Sequence, residues 1–546
     1  MKKLLCILLV LMMLATLLLS CAEHKEKEPA VGGATTSPIT TSAPESSTEP
    51  EDTASETTTE QTVPPEVPKT LLDELREKHL NEKKVITVIG KKVSGIDFEF
   101  DADASTPLTS VAYHRNEEAK KNLGLSNIVF KNINFGGNGG RVSTGYARRV
   151  TEMWQAGEDN FDILTSLPAT AVVLVNKGFL VDLNDHSDYI DLSSPWYPKH
   201  MTEDFSITDS VYFVVGDITP SLATATSCIV INKELMQTKG ISVEKYYKLA
   251  REGKWTLDEL IMLVNNGYTD LDANNQKSDG DAYGLMSNVD DLYSFFVASD
   301  MLAFDNKDTS VGIKVSSDIT SDKATSLHEK LSKLFESDHA YCSGSEKVYY
   351  EEKLFAEKAN TIALVSDLAG TIYIRPYTLP DLMFEFGILP MPKYDLSQED
   401  YQSPVTNLVN TWGVYANSSS DERISAVALI EEMGRVVNKV DSTAILYDRF
   451  MTEFDSGSDE MWIYRTILHT ARFDHRVTAS ELLYEKGTDD IGSIERLWFE
   501  TIRTSSKSWA DVVKEYNSFA GYTDALAQFN QNYRDVAAGK LDPFKK

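Results

Sequence analysis

The chain has 546 residues, of which 53 are Lys or Arg and 83 are Asp or Glu, giving a formal net charge of −30 at pH 7. This length predicts at least two domains, and the acidic excess argues against nucleic acid or an anionic membrane surface as the main partner. Four cysteines in so long a chain exclude a disulfide-rich scaffold.

The first residues of the chain predict export. Two lysines precede an apolar run at 4–19, which is short for a membrane span of about 20 residues. Ser20 and Cys21 follow and resemble the bacterial lipobox, which implies removal of a signal peptide at 1–20 and acylation of Cys21. An uncleaved signal anchor is the alternative. We therefore expect an extracytoplasmic protein that is lipid-anchored to the cell membrane.

Residues 21–68 are predicted to form a disordered tether. Thr, Ser, Pro, Asp and Glu fill 28 of the 34 positions in 35–68. Such a segment cannot bury enough apolar surface to offset its ordering entropy, so we expect a spacer between the membrane and the globular part. In the mature chain, Cys228 and Cys342 remain as thiols or as one disulfide.

From residue 85 the pattern alternates short β-rich runs with amphipathic helices. Strands are predicted at 85–89, 127–135, 161–165, 211–215, 227–232, 361–365, 386–390 and 408–416. Helices are predicted at 112–124, 143–157 and 170–177, and the chain is mainly helical after 421. Strands separated by helices of about 10–15 residues predict an α/β fold around a largely parallel sheet.

Six sequence fragments occur in a characteristic order. They are FDIL at 161–164, IVINKEL at 229–235, KWTLDEL at 254–260, LFAEK at 354–358, FGILPMP at 386–392 and WGVY at 412–415. Together they resemble the extracellular solute-binding proteins of family 1, the receptors of sugar-type ABC importers. The resemblance covers most of 85–440.

The resemblance implies a two-lobed periplasmic-binding-protein-like fold with a hinge and an interlobe cleft, and with a helical C-terminal part. Carried onto this chain, it assigns 69–220 and 404–446 to the first lobe, and 221–403 and 447–546 to the second. It also implies a monomer that requires no cofactor. Such a receptor delivers a solute, expected to be a mono- or oligosaccharide, to ABC permease subunits.

Ligands of open α/β sheets lie beyond the carboxyl ends of the strands. Sugars offer apolar faces and rims of hydroxyls, which aromatic rings, carboxylates, amides and Arg recognise. With the resemblance, these rules give the candidate ligand-binding residues Ser166, Trp412, Ser366, Asp367, Arg115, Tyr212 and Asp217. The alternatives are helix capping for the serines and Asp367, core packing for the two aromatic residues, a surface ion pair for the arginine and a hinge turn for Asp217.

The acidic loop at 270–281 is a candidate calcium site. Its donors are Asp270, Asp272, Asn274, Gln276 through its backbone carbonyl, Ser278 and Asp281. They occupy positions 1, 3, 5, 7, 9 and 12 of an EF-hand-like loop. Asn275 replaces the usual glycine but tolerates the left-handed conformation. A solvated turn rich in Asp and Asn is the alternative, and calcium bound here would be structural.

No G-x-S-x-G, H-E-x-x-H or G-x-x-x-x-G-K-[ST] motif occurs, so no catalytic residues are assigned. The sequence favours a transport receptor that is not an enzyme. Two alternatives stay open: a lipoprotein enzyme acting on polysaccharide, and a sensory or adhesive lipoprotein that retains the receptor fold. Turnover of a bound glycan would distinguish the first, and the absence of neighbouring permease genes would indicate the second.

Overall fold

The computed structural model describes the part of the chain that carries the expected sheets and helices. The described residues are 85–90, 97, 107–133, 142–265, 267–308, 310–342, 350–368, 384–439, 459–485, 494–504, 507–515 and 519–545. The signal peptide predicted at 1–20, Cys21 and the tether predicted at 21–68 lie outside them. Within the described residues, no helix combines the length and the apolar character needed to cross a membrane.

Thirteen strands occur in the described residues. They are β1 (Val85–Gly90), β2 (Asn127–Asn132), β3 (Ile163–Ser166), β4 (Ser227–Asn232), β5 (Leu285–Ser287), β6 (Phe304–Asp305), β7 (Lys314–Val315), β8 (Ala340–Cys342), β9 (Ala363–Asp367), β10 (Phe386–Pro390), β11 (Ser403–Pro404), β12 (Thr411–Val414) and β13 (Ala471–Arg472). Nine of them form two larger sheets, and the rest form two short two-stranded pairs.

Seventeen α-helices occur in the same residues. They are α1 (Pro107–Asn122), α2 (Val142–Ala156), α3 (Pro168–Asn176), α4 (Lys199–Phe205), α5 (Pro220–Ala225), α6 (Lys233–Thr238), α7 (Val243–Arg251), α8 (Leu257–Val264), α9 (Ser294–Ala298), α10 (Asp322–Glu336), α11 (Tyr350–Lys358), α12 (Ser420–Lys439), α13 (Asp459–His469), α14 (Arg476–Glu485), α15 (Ile494–Thr504), α16 (Trp509–Glu515) and α17 (Phe519–Ala537). The predicted helical C-terminal part is therefore present from α12 onward.

Four strands form the first sheet, in the order β12-β3-β1-β2. Strand β1 runs parallel to β2 and β3, whereas β12 at the edge runs antiparallel to β3. Helix α1 packs against α12, and α2 packs against α3. Buried apolar side chains of these helices and strands form the core around the sheet. We call this part of the molecule the first lobe.

Five strands form the second sheet, in the order β10-β4-β9-β5-β8. Strand β4 is antiparallel to both of its neighbours, and β9, β5 and β8 are mutually parallel. All six residues of β4 are buried, which explains why its sequence has no apolar–polar alternation. The buried Trp255 donates its Nε1–H to the carbonyl oxygen of Pro390 at 2.8 Å and so joins two of the sequence fragments. We call this part the second lobe.

Helix α7 shows how local sequence places an element on the second lobe. The hydroxyl of Ser242 accepts the backbone N–H of Lys245 at 3.1 Å and caps the first turn. The buried residues of the helix are Val243, Tyr246, Tyr247 and Ala250. Their helical spacing gives one apolar face, which packs beside β10.

Two chain segments cross between the lobes side by side. The first crossing segment, 216–226, leads from the first lobe to β4, and the second crossing segment, 405–410, leads from β11 to β12. Thr226 bridges Val405 in antiparallel fashion. The strands of each sheet come from the ranges expected for that lobe, while the lobe boundaries themselves stay a prediction.

Helices α15 and α16 pack on the second lobe. Each inserts a tryptophan that is at most 1% exposed. Trp498 donates its Nε1–H to the carbonyl oxygen of Leu292 at 3.2 Å, and Trp509 donates to that of Ile319 at 2.8 Å. Because both indole N–H groups are bonded, the two rings are buried without an unsatisfied donor.

Helix α17 and the residues after it contact both lobes. The Asn530 amide accepts the backbone N–H of Ile313 in the second lobe at 3.0 Å and donates to its carbonyl oxygen at 2.7 Å. Nearby, the buried ring of Tyr533 meets Tyr212 of the first lobe edge-on at 5.1 Å. Phe544 then packs within 5.5–5.8 Å of the first-lobe rings of Trp154, Phe179 and Tyr415. This helix and its tail tie the lobes together.

The strand expected at 211–215 is not formed. Val214 makes a single bridge to Trp412, and no named strand spans this range. Thr208 and Asp209 adopt left-handed conformations and turn the chain shortly before it. The strand expected at 408–416 is confined to β12, because the residues preceding it belong to the second crossing segment.

The two described cysteines do not form a disulfide. Cys228 lies on β4 and Cys342 on β8, with β9 and β5 between them. Three strand spacings of about 4.8 Å separate the two residues by roughly 14 Å. A disulfide requires Cα atoms within about 7 Å, so the optional bridge does not form.

Candidate functional site

A cavity of about 250 Å³ lies where the first crossing segment meets α12 and α13. Its apolar wall is formed by Val111, Leu222, Ala223, Val437 and Leu468. Its polar groups are Asp217, Thr219, Asn438, Tyr464, Arg465 and His469. We call this cavity the hinge pocket. It combines residues from the first crossing segment, α1 of the first lobe and the start of the C-terminal part.

Asp217 is the predicted ligand residue that lines the hinge pocket. Burial raises the pKa of its carboxyl group to about 6, while a hydrogen bond donated by the Asn438 amide at 3.0 Å opposes the shift. The buried hydroxyl of Thr219 has no hydrogen-bond partner among the described residues. Burial and the positive charge of Arg465 lower the pKa of His469. The pocket thus offers both donors and acceptors beside an apolar wall.

Sequence reasoning identified Asp217 but missed the other polar groups of the hinge pocket. Asn438 lies in the last turn of α12, and Tyr464, Arg465 and His469 lie on α13. They follow the first crossing segment by more than two hundred residues, so no local pattern joins them to Asp217. The terminus of a long helix near a lobe crossing is the sequence signal that could have indicated Asn438.

Arg115 is buried inside the first lobe. Its guanidinium donates to the backbone carbonyl oxygens of Asp97, at 2.7 Å, and Ile218, and to the Asn116 side chain at 2.8 Å. Burial lowers the pKa of Arg115 to about 10, and the negative charge of Asp97 opposes this shift. The guanidinium carbon lies 5.1 Å from the centre of the Trp412 ring. The surface ion pair considered for Arg115 is therefore wrong.

Asp97 connects Arg115 to both crossing segments. Its carboxylate accepts the backbone N–H of Ser221 at 2.7 Å and a hydrogen bond from the Asn410 side chain. The Asn410 backbone N–H in turn donates to the Ser221 hydroxyl at 3.1 Å. Burial raises the pKa of Asp97, whereas these hydrogen bonds and the charge of Arg115 oppose the rise. We call Asp97, Arg115, Ser221 and Asn410 the polar knot.

Trp412 is a core residue in this structure. It is 0% exposed and lies on β12 against the buried residues of the first lobe. Its indole N–H has no hydrogen-bond partner among the described residues. Ser166 is close by, because its carbonyl oxygen accepts the hydroxyl of the neighbouring Thr411 at 2.9 Å. Trp412 thus contacts Arg115 of the polar knot, Ser166 lies beside it on β3, and the ligand contacts of both residues stay a prediction.

Ser366 and Asp367 end β9 in the second lobe, and both are buried. The Ser366 hydroxyl contacts the Glu352 carboxylate at 3.5 Å. Glu352 and its neighbour Glu351 are 3% and 0% exposed, which makes this edge of the sheet rich in buried acids. Sequence reasoning missed both glutamates, because two acids in the first turn of a helix usually indicate a solvated end.

Tyr212 does not line the hinge pocket. It lines a separate cavity of about 390 Å³ between the first lobe and the C-terminal residues, where its ring contacts Tyr533. The chain turns at 216–219, where the Thr219 N–H donates to the Gly216 carbonyl oxygen at 2.8 Å, so Asp217 does not continue the run that carries Tyr212. The structure therefore divides two candidates that the sequence places together.

The acidic loop brings three carboxylates together. Ligand oxygens of Asp270, Asp272 and Asp281 all lie within 4.8 Å of one another. Asn275 adopts the expected left-handed conformation with φ 55°, and its N–H donates to Asp270 at 2.8 Å. That bond is the main cause of the lowered pKa of Asp270. The loop follows α8, as expected.

The other predicted donors complete the acidic loop. The Asn274 amide and the Ser278 hydroxyl donate to Asp272 Oδ2 at 2.8 and 3.0 Å. Backbone N–H groups of Gln276 and Ser278 are bonded to Asn274 and Asp281. The same contacts occur in turns stabilised by Asp and Asn side chains. The geometry therefore fits both the calcium loop and the solvated turn.

The chain was compared with known proteins. No family model matches it, and no curated protein matches it. M. tuberculosis UspC is 11% identical with a TM-score of 0.50, over 81% of this chain and 100% of UspC. A sugar transporter of Rhizobium etli in an open conformation is 13% identical with a TM-score of 0.49, over 81% and 98%.

A third solved structure is an ABC substrate-binding protein of Listeria monocytogenes in complex with cycloalternan. It is 13% identical with a TM-score of 0.48, over 81% of this chain and 99% of that protein. At such identities a likeness carries the fold alone, and the likeness to UspC spans that whole protein. The two-lobed periplasmic-binding-protein-like fold expected from the six fragments is confirmed.

Proposed function

We propose that this chain is an extracytoplasmic receptor that binds a small solute and delivers it to the permease subunits of an ABC importer. The observation that carries the proposal is the two-lobed fold with a hinge pocket where its segments cross between the lobes. Ligand sites in α/β proteins favour such junctions. The receptor acts as a monomer and not as an enzyme.

We further propose that the solute is a carbohydrate. The sugar-type resemblance of the six fragments supports this class, and so does the hinge pocket, which sets carboxylate, amide and hydroxyl groups beside an apolar wall. Its volume of about 250 Å³ lies just below the range of roughly 300–1,000 Å³ for drug-sized ligands. The pocket therefore favours a monosaccharide or one terminal unit of an oligosaccharide.

A thermal-shift screen of mono- and oligosaccharides tests the receptor function. A ligand that binds the folded state raises the apparent stability by about 2.7 kcal/mol at 100 times Kd. We expect a small set of related sugars to raise the melting temperature in a saturable manner. A screen in which no sugar does so would reject the carbohydrate class, and turnover of a bound glycan would reject the assignment as a non-enzyme.

We propose that acylated Cys21 anchors the receptor and that residues 21–68 act as its tether. The basic start, the apolar run and the lipobox-like Ser20–Cys21 pair support this proposal. Two or more acyl chains anchor a protein far better than one. Cys21→Ala should therefore release the protein from the membrane fraction, and a variant that stays membrane-bound after a salt wash would reject the anchor.

We also propose that the acidic loop binds a structural calcium ion. The support is the gathering of Asp270, Asp272 and Asp281 together with the EF-hand-like spacing. Calcium would offset the repulsion between the three carboxylates and hold the segment between α8 and β5. No group beside the loop would use the ion for chemistry, so the expected effect is on stability.

A further inference from the structure

The polar knot joins parts of the chain that are far apart in sequence. Asp97 follows β1, Ser221 lies in the first crossing segment, and Asn410 ends the second crossing segment. All four members of the knot are at most 1% exposed. Hydrogen bonds buried this deeply are costly to break, because the groups left behind cannot bond to water.

The hydrogen bonds of the polar knot restrict the motion of the two crossing segments relative to each other. One Asp97 carboxylate oxygen accepts from the backbone of the first crossing segment, and the other accepts from the side chain of the second. A third bond, from the Asn410 backbone N–H to the Ser221 hydroxyl, joins the two segments directly. Arg115 adds bonds to Ile218 and to the Asp97 carbonyl oxygen, which fix the knot to α1.

We propose that Asp97 is a positioning residue that locks the two crossing segments together, so that they bend as one hinge and hold the hinge pocket in place. Asp217 and Thr219 stand two to four residues before Ser221, on the segment that Asp97 holds. The role in solute binding rests on the receptor function proposed above. The role in setting the interlobe angle does not, and it can be measured without solute.

Exchanging the two side chains tests the lock. Asn410→Asp places two carboxylates against each other in a buried site, where like charges repel strongly. Combining Asp97→Asn with Asn410→Asp restores the pattern, since the new amide at position 97 can accept from Ser221 and donate to the new carboxylate at position 410. Asn410→Ala removes one bond without adding charge and serves as a milder variant. The matched control is Asn417→Ala, at an asparagine outside the knot.

The measured quantity is the distribution of distances between two spin labels, one on each lobe, recorded by double electron–electron resonance spectroscopy. The labels are attached to cysteines introduced by Arg148→Cys on α2 and Lys248→Cys on α7. The replaced side chains are 68% and 75% exposed. The full chain carries Cys6→Ser, Cys21→Ser and Cys342→Ser, and the buried Cys228 is retained. Melting curves recorded on the same samples report stability separately.

We expect Asn410→Asp to widen the distance distribution roughly twofold and Asn410→Ala to widen it less, because the crossing segments then bend separately. The double exchange should return the distribution to that of the parent chain. If the variants lower the melting temperature but leave the distribution unchanged, Asp97 is merely structural and the lock is rejected. The proposed lock is also rejected if combining Asp97→Asn with Asn410→Asp does not narrow the distance distribution relative to Asn410→Asp alone. Should Asn410→Asp not fold, Asn410→Ala and the exchange decide the question.

Discussion

The core around Trp412 and the hinge pocket around Asp217 are connected by a few residues of chain, but the first is fully packed and the second contains a cavity. Val214 pairs with Trp412, and Asp217 follows only three residues later. In the core, the Trp412 ring and the Arg115 guanidinium cover each other. In the pocket, the Asp217 carboxylate borders open space and bonds to Asn438. The difference shows that residue type alone does not identify a ligand-binding residue. A side chain can contact a ligand only where a cavity lies beside it.

The largest effect is expected at Trp412. Trp412→Ala should lower the free energy of unfolding by about 3–5 kcal/mol, because a buried aromatic side chain is lost and a cavity remains. Chemical denaturation measures this loss. The partly exposed Trp462 provides the matched control, and Trp462→Ala should cost less. A Trp412→Ala variant of normal stability whose solute affinity falls at least tenfold, or about 1.4 kcal/mol, would instead support the predicted aromatic platform.

The acidic loop extends the comparison to carboxylates that face solvent. Loops of this type bind calcium with Kd of about 10⁻⁴–10⁻³ M, so saturating calcium should raise stability by up to about 2.7 kcal/mol. Asp270→Ala or Asp272→Ala should abolish the rise in melting temperature. Asp258→Ala, outside the loop, should retain it. Identical melting curves in calcium and in chelator would leave the turn interpretation.

The hinge pocket itself is tested at Asp217. Asp217→Ala should weaken binding of the cognate solute at least tenfold, or about 1.4 kcal/mol, as titration calorimetry would show. Asp367→Ala should do the same if the second-lobe edge contributes. Tyr212→Phe is the control, since Tyr212 lies in the other cavity. Equal affinity in all three variants would exclude both assignments.

The smallest expected effect is a change in pH dependence. Because the folded-state pKa of Asp217 is raised to about 6, the native state binds this proton more tightly than the unfolded chain does. Protonation of Asp217 contributes fully to the stability of the folded state below about pH 4, and this contribution is lost as the pH rises through about 6. Asp217→Asn should therefore gain stability relative to the parent between pH 4 and 6. Identical pH profiles of stability for the parent chain and Asp217→Asn would reject the raised pKa of Asp217.

Much of the fold was readable from the sequence because several strands of its two larger sheets are short apolar runs. The strands predicted at 227–232 and 386–390 match β4 and β10 in full. The segment at 211–215 was wrongly predicted as a strand: it has the composition of one, but it lies between the turn at Thr208 and Asp209 and the first crossing segment. Both kinds of segment are buried, and what distinguishes them is backbone pairing with strands distant in sequence, which apolar content cannot report.

The candidate site was less readable for the same reason. Asp217 could be proposed because a polar residue after an apolar run suggests the end of an element. Asp97 could not, since it stands among several acids and its partners lie 124 and 313 residues away. Asp270, Asp272 and Asp281 were recognisable because their carboxylates accept hydrogen bonds from within the loop.

The contacts of α17 determine the order in which the molecule can be completed. Synthesis runs from the N-terminus, so Asn530, Tyr533 and Phe544 leave the ribosome after the strands of the two larger sheets. Every strand of the two larger sheets precedes them, ending with β12. A nascent chain can therefore build both sheets before it can join them through α17. A chain cut before Asn530 would retain every strand of the two larger sheets but lose these contacts between the lobes.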